Sequence, residues 1–288
     1  MGGTRYNVSK RAIKAMKEGY ASKSVNEIFK QNIERKAHNS MNPNGVNFRE
    51  ARDSEVHPNS FPIILGLDVT GSMGHIPHDL IKDGLPKLMG GIIQNGVPDA
   101  SLLFLGIGDH ECDSYPLQVG QFESGDDELD MWLTRTYIES GGGGNGGESY
   151  LLAWYFAAFH TKTDAYEKRN QKGILVTIGD EPNLKTLPAS AVREIMGSGQ
   201  QTFTQAELLA AAQKKYEVFH INVCHSYRAT KAEKGWKDLL GQNCISVEDY
   251  KTIPEVVKKL VCDNYQAVES KTDSTDISGI NFDDIDML

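Results

Sequence analysis

The chain has 288 residues, 24% of them charged and 39% hydrophobic, and its 30 basic against 39 acidic side chains leave a formal net charge of −9. This balance speaks against nucleic acid as the main partner, and no apolar run approaches the roughly 18 residues that a membrane span needs. The length suits one large domain or two small ones.

Residues 1–58 read as an arm, net basic in contrast to the acidic last twenty positions. The opening MGGTRYNVSK lacks the apolar core of a signal peptide and, with no Ser or Thr at its sixth position, fits the myristoylation pattern poorly. Ser24-Val25-Asn26-Glu27 has the form of a capping box, and Val25, Ile28, Phe29 and Ile33 follow at helical spacing. This predicts one short amphipathic helix docked on the main body, or else a partner-binding or oligomerising arm. HNSMNPNGVNFRE reads as loop.

From residue 59 strands and helices alternate. FPIILGLD (61–68), SLLFLGIGD (101–109) and KGILVTIGDEP (172–182) are apolar runs of the kind found in strands buried on both faces. Ile81, Leu85, Leu88, Met89 and Ile92 recur at helical spacing, and ESYLLAWYFAAFH (148–160) is apolar nearly all round, as in a deeply buried helix. PLQVGQFE (116–123) alternates apolar and polar residues and predicts an edge strand exposed on one face. TQAELLAAAQKKY (204–216) reads as helix, EVFHINVC (217–224) and NCISV (243–247) as strands. A capped amphipathic helix begins at Thr252-Ile253-Pro254-Glu255. Alternation of this kind predicts an α/β domain over 59–268, a doubly wound and mostly parallel sheet with helices on both faces. The tail, 269–288, has the composition of a disordered segment, although Ile280, Phe282, Ile285 and Leu288 interleave with acids as in a short docking motif.

Cys112, Cys224, Cys244 and Cys262 contain no C-x-x-C pair, and three lie in apolar stretches. Reduced thiols and a cytoplasmic location are expected.

In an open α/β sheet, ligands bind beyond the carboxyl ends of the strands, and Asp68, Asp109 and Asp180 all fall at such ends. In DVTGSM, Asp68, Thr70 and Ser72 form D-x-T-x-S, three short oxygen donors on one strand-to-helix loop that can converge on a hard cation. Asp180 reaches the same point from a neighbouring strand. SGGGGNGGESY (140–150) brings backbone close and adds Asn145, Glu148 and Ser149.

These three segments, in this order and strand context, resemble the metal-ion-dependent adhesion site of von Willebrand factor A-type (vWA) domains, over roughly 59–266. The resemblance is to the stand-alone type found in bacteria and phages. It implies one antiparallel edge strand, for which PLQVGQFE is the natural candidate, and a bound Mg2+ (Mn2+ or Ca2+ as substitutes). It also implies a non-enzymatic adaptor or scaffold whose metal is completed by an acidic residue of a protein partner. The metal set is then Asp68, Thr70, Ser72, Glu148 and Asp180. Asn145, Ser149, Asp109 and His75 are additional or rim residues. The chain departs from the family at Gly143-Gly144-Asn145, where members commonly place a threonine, and Glu148 is the substitute ligand.

Two alternatives stand beside this reading. DVTGSM is also similar to the D-x-T-G-T loop of haloacid-dehalogenase-type phosphotransferases, in which Asp68 would be a Mg2+-assisted nucleophile. That family needs a second acid where this chain has Asn183. The other alternative is a purely structural metal, with assembly through the arm or the acidic tail.

Overall fold

The structure is a computed structural model and describes residues 4–71, 73–139, 145–224 and 227–276. The arm holds helices α1 (Val8–Glu18), α2 (Val25–Ile28) and α3 (Gln31–Glu34), then strand β1 (Arg49–Ala51). Next come β2 (Phe61–Asp68), α4 (His75–Asp79), α5 (Leu85–Gln94), β3 (Ala100–Ile107), β4 (Leu117–Val119), α6 (Asp126–Thr134) and α7 (Leu151–Phe159). They are followed by β5 (Thr161–Thr163), α8 (Asp164–Arg169), β6 (Gly173–Gly179), β7 (Thr186–Leu187), α9 (Ala189–Met196), β8 (Phe203–Thr204) and α10 (Gln205–Ala212). The last elements are β9 (Tyr216–Val223), α11 (Tyr227–Leu240), β10 (Cys244–Val247) and α12 (Ile253–Asp276).

The central sheet has six strands in the order β10-β9-β6-β2-β3-β4, all parallel except β4, which runs antiparallel to β3 at one edge. The chain leaves β2 toward β3 on one side and later returns to lay β6 on the other. The strand order therefore reverses at β2, where the crevice beyond the strand ends takes ligands in sheets of this type. Two short pairs lie outside it, β1 with β5 in parallel and β7 with β8 antiparallel.

Side chains alternate across a strand, and here they feed two cores. Ile63, Leu65 and Leu67 of β2 join the core shared with α5, α6 and α12, while Ile64 joins the one shared with α7, α10 and α11. Ile174, Val176 and Ile178 repeat the first pattern on β6, and Leu175 the second. Both faces are covered, which is why these strands read as unbroken apolar runs. None of the four cysteines is in a disulfide; two of them are buried and Cys112 is exposed.

Several expectations need correction. The edge strand is not open on one face: Leu117, Gln118 and Val119 are all buried. Gln118 is satisfied by the Tyr137 backbone, accepting from its N–H at 2.8 Å and donating to its carbonyl at 2.8 Å. The amphipathic arm helix is two short pieces, α2 and α3, and Ile33 faces solvent at 71% exposure. The capping box at Ser24 and Glu27 is present. The helix before β3 is interrupted by a π-helical turn, Leu80–Gly84. The final helix continues to Asp276, into the segment read as tail, and residues 277–288 lie outside the described residues.

Candidate functional site

Leu67 pairs with Ile178 and Asp68 with Ile107, so Asp68 and Asp180 leave β2 and β6 at nearly the same level, with Asp109 two residues past the end of β3. The Asp68 carboxylate is fully engaged. Oδ1 accepts from the Thr70 N–H at 2.9 Å and the Thr70 hydroxyl at 2.7 Å. Oδ2 accepts from the Tyr150 hydroxyl at 2.7 Å. A short acid bonding to the backbone two residues on is the usual device for closing such a loop. Gly74 ends this loop against Ile138, whose methyl would lie 2.4 Å from any Cβ placed there. Ser72 lies outside the described residues.

Backbone contacts zip the neighbouring loops to one another. Glu148 donates its N–H to the Pro182 carbonyl at 2.9 Å and accepts from the Leu184 N–H at 3.0 Å, which pins it to the segment that follows Asp180. Ser149 donates its N–H to the Gly108 carbonyl at 3.2 Å, and its hydroxyl oxygen accepts from the His110 N–H at 2.9 Å and lies 2.7 Å from His110 Nδ1. Asn183 caps α7, accepting from the Leu151 N–H at 2.9 Å, so the position that a phosphotransferase reserves for an acid does structural work here.

Four carboxylates are thus buried at one end of the sheet, in Asp68, Asp109, Glu148 and Asp180. Glu148 Oε2 and Asp109 Oδ2 are buried without any hydrogen-bond donor. No basic side chain forms an ion pair with Asp68, Asp109 or Glu148 among the described residues. Burial, then the charges of Asp68, Asp113 and Asp109, push the Glu148 carboxyl well above the usual range. Burial also raises Asp68, against the hydrogen bonds from Thr70 and Tyr150, and the Asp180 charge adds to the rise. Burial holds the Tyr150 phenol protonated and so a donor. It likewise keeps His220, beneath Tyr150, neutral.

Among the described residues, no three His, Cys, Asp or Glu side chains form a ready-made metal cage. Of the rim residues, Asp109 and Ser149 lie at the site. Asn145 is exposed and donates to Glu111 Oε2 at 2.9 Å. His75 packs edge-on against Tyr250, with ring centroids 4.3 Å apart.

No protein-family model matches this chain, and no curated protein matches it. Among solved structures, it is similar to the pilus adhesin SpaC from Lactobacillus rhamnosus GG in its open conformation, at 10% identity and a TM-score of 0.47 over 74% of this chain and 30% of the adhesin. Proximal thread matrix protein 1 from the mussel byssus aligns at 10% identity and a TM-score of 0.48, over 75% of this chain and 49% of its own. The SpRpn10 VWA domain aligns at 10% identity and a TM-score of 0.42, over 68% of this chain and 93% of its own. This chain therefore spans less than a third of the adhesin's length.

Tyr150 is the site residue that sequence reasoning missed. It sits inside a run that is apolar nearly all round, where nothing local distinguishes a hydroxyl aimed at a carboxylate from one more core aromatic. Gly179 carried the available signal. A Cβ there would lie 1.8 Å from the Tyr150 oxygen, so the glycine before Asp180 leaves the space that the phenol fills.

Proposed function

We propose that the chain is a metal-ion-dependent protein-interaction module of the vWA kind, with Mg2+ at the carboxylate cluster and an acidic group of a protein partner as its ligand. The observation that carries this reading is the buried cluster itself. Carboxylates gathered out of water are costly, among the described residues Asp68, Asp109 and Glu148 form no ion pair with a basic side chain, and one oxygen each of Glu148 and Asp109 has no donor. A divalent cation supplies both the missing charge and the missing contacts. Asp68, Thr70, Ser72, Glu148 and Asp180 are the residues to hold it, with Asp109 beside them. The mixed carboxylate and hydroxyl donor set suits a hard, oxygen-seeking ion such as Mg2+.

When bound, the cation offers an exchangeable coordination position to a partner's carboxylate. The rest is done by this chain. Thr70 and Tyr150 fix the orientation of the Asp68 carboxylate, Pro182 and Leu184 fix the Glu148 backbone, and Glu148 adds a negative charge that the usual threonine lacks. That extra charge tempers the pull on a partner's acid. An Asp68 whose two oxygens already accept three hydrogen bonds is better suited to orientation than to attack on phosphorus.

Calorimetry with Mg2+ tests the reading directly. Saturable binding is expected for the wild type and none for Asp68→Ala, and capture of a host partner should require Mg2+ and fail with the same variant. Absence of Mg2+ binding by the folded wild type, or covalent modification of Asp68 by a phosphoryl donor or its beryllium fluoride mimic, overturns it.

A further inference from the structure

The hydroxyl that holds Asp68 belongs to an aromatic stack that ends in a surface helix. The Tyr150 ring stands edge-on to His220, with centroids 5.1 Å apart at 72°, and edge-on to Trp236 of α11, 5.3 Å away at 71°. His220 lies flat on Trp236, with centroids 3.5 Å apart and planes 10° from parallel. Its Nδ1 is 2.9 Å from the Thr177 hydroxyl, which fixes the ring from the β6 side. The indole N–H of Trp236 donates to the Glu181 carbonyl at 3.0 Å, one residue beyond Asp180. All three rings are buried, and Gly179 backs the phenol so closely that no Cβ fits between them. Helix α11 is thereby tied to the site twice, through Tyr150 to Asp68 and through its indole to the residue after Asp180.

We propose that Tyr150 is a positioning residue of the carboxylate site and that the Tyr150–His220–Trp236 stack couples occupancy of that site to α11. The inference rests on the reading of the site as a cation site and adds to it a moving part. Packed interiors do not deform continuously, so small displacements at a site pass to the elements packed on it. Among the described residues Tyr150 is the donor to Asp68 Oδ2, and its ring is confined by His220, Trp236 and Gly179. A change in the Asp68 carboxylate is therefore carried to the indole. Beyond Trp236, the outward side of α11 presents Lys231, Lys234 and Lys237 to solvent, so the coupled element is one that a partner can touch.

The chain contains three tryptophans, which permits a test on the full-length protein. With 5-fluorotryptophan incorporated, each indole gives one fluorine resonance, assigned by single Trp→Phe substitutions. Titration with Mg2+ should shift the Trp236 resonance with the midpoint found by calorimetry. Trp132, on α6 against the other sheet face, should stay still as the internal reference. Tyr150→Phe, which loses one hydrogen bond to a charged group, should bind Mg2+ roughly ten- to hundredfold more weakly, with the Trp236 response abolished. Trp236→Phe keeps a ring in place but loses the N–H bond to Glu181, and should weaken Mg2+ several-fold although residue 236 touches no proposed ligand. Calorimetric binding with a silent Trp236 overturns the coupling and leaves the cation site standing. Absence of both heat and shift removes the cation site itself, and the coupling with it.

Discussion

Glu148 shows what the cluster demands of a single side chain. Its carboxyl is buried, one oxygen has no donor, and Asp68, Asp109 and Asp113 all oppose its ionisation. A carboxyl whose value is raised in the folded state stabilises folding below its unfolded value, about 4.3, and that contribution is lost as pH rises toward the folded value. Metal-free protein should therefore lose stability as pH rises from about 5 to 8, and Glu148→Gln should flatten that slope. At neutral pH the same variant should melt a few degrees higher than wild type without Mg2+, since about 1 kcal/mol moves the midpoint of a domain this size by roughly 2–4 °C. Added Mg2+ should raise the wild-type midpoint and leave the variant's unchanged. A variant that melts lower than metal-free wild type at every pH would show that Glu148 is a structural acid with an unseen partner. The sequence made Glu148, Asp68 and Asp180 legible because each falls where an apolar strand or a glycine run gives way to polar residues. Tyr150 was not legible, since its partner is 82 positions away and only the packing of α7 on the sheet joins them.

Buried strands were the easiest elements to read, because a parallel strand covered on both faces has no polar side to confuse the pattern. The arm was harder for the opposite reason. In α1 the sole buried residue is Arg11, while Val8, Ile13 and Met16 face outward, so hydrophobic spacing points away from the surface that packs. Its end signals were present all the same: Asn7 accepts from the Lys10 N–H, and Gly19 closes the helix at φ 67°. Close approach also decides the end of β6. At Gly179 an added methyl would lie 1.8 Å from the Tyr150 oxygen and 2.5 Å from its ring carbon, which the packed stack cannot absorb by a small shift. Gly179→Ala should lower the urea unfolding free energy by about 1–3 kcal/mol and, by displacing the phenol, weaken Mg2+ binding as Tyr150→Phe does. Unchanged stability would mean that the stack is loose enough to yield, which would also count against its role in transmission.

The arm, expected from sequence to dock one short helix on the main body, makes a circuit of the α/β body. Tyr6, Tyr20, Ile28, Phe29 and Met41 enter the first core and Ala51 the second. The circuit closes on itself, since Arg5 donates to the Val56 carbonyl at 2.8 Å and His57 Nε2 lies 3.0 Å from the Thr4 carbonyl oxygen. Between these points Asn32 accepts from the Ile138 N–H at 2.9 Å, which seats the arm beside the loop that carries Gly74. Only the docking of Ile28 and Phe29 was legible locally, from their helical spacing; contacts across a hundred positions leave no periodic mark.

The far end of the circuit is held by charge. Asp164 accepts from Arg52 at 2.8 Å and from the Asp53 N–H at 2.9 Å, and Lys168 lies 2.7 Å from it. Burial alone would raise this carboxyl, but Lys168, the Asp53 N–H and Arg52 outweigh it and hold the value at about 2. A depressed acid stabilises the fold above its unfolded value, about 3.9, and that contribution disappears as pH falls through the folded value. At neutral pH the amount is about 1–2 kcal/mol, less than for a fully shielded pair because Lys168 and Arg52 both reach solvent. Urea unfolding of wild type and Asp164→Asn from pH 6 to pH 2 should therefore give two curves separated by that amount above about pH 4. The curves should converge as the wild-type carboxyl protonates, with proteolysis of the segment around Arg52 becoming faster over the same interval. A separation that persists unchanged to pH 2 would mean that Asp164 holds the arm by packing and neutral hydrogen bonds, and that this contact at the far end of the circuit is not electrostatic.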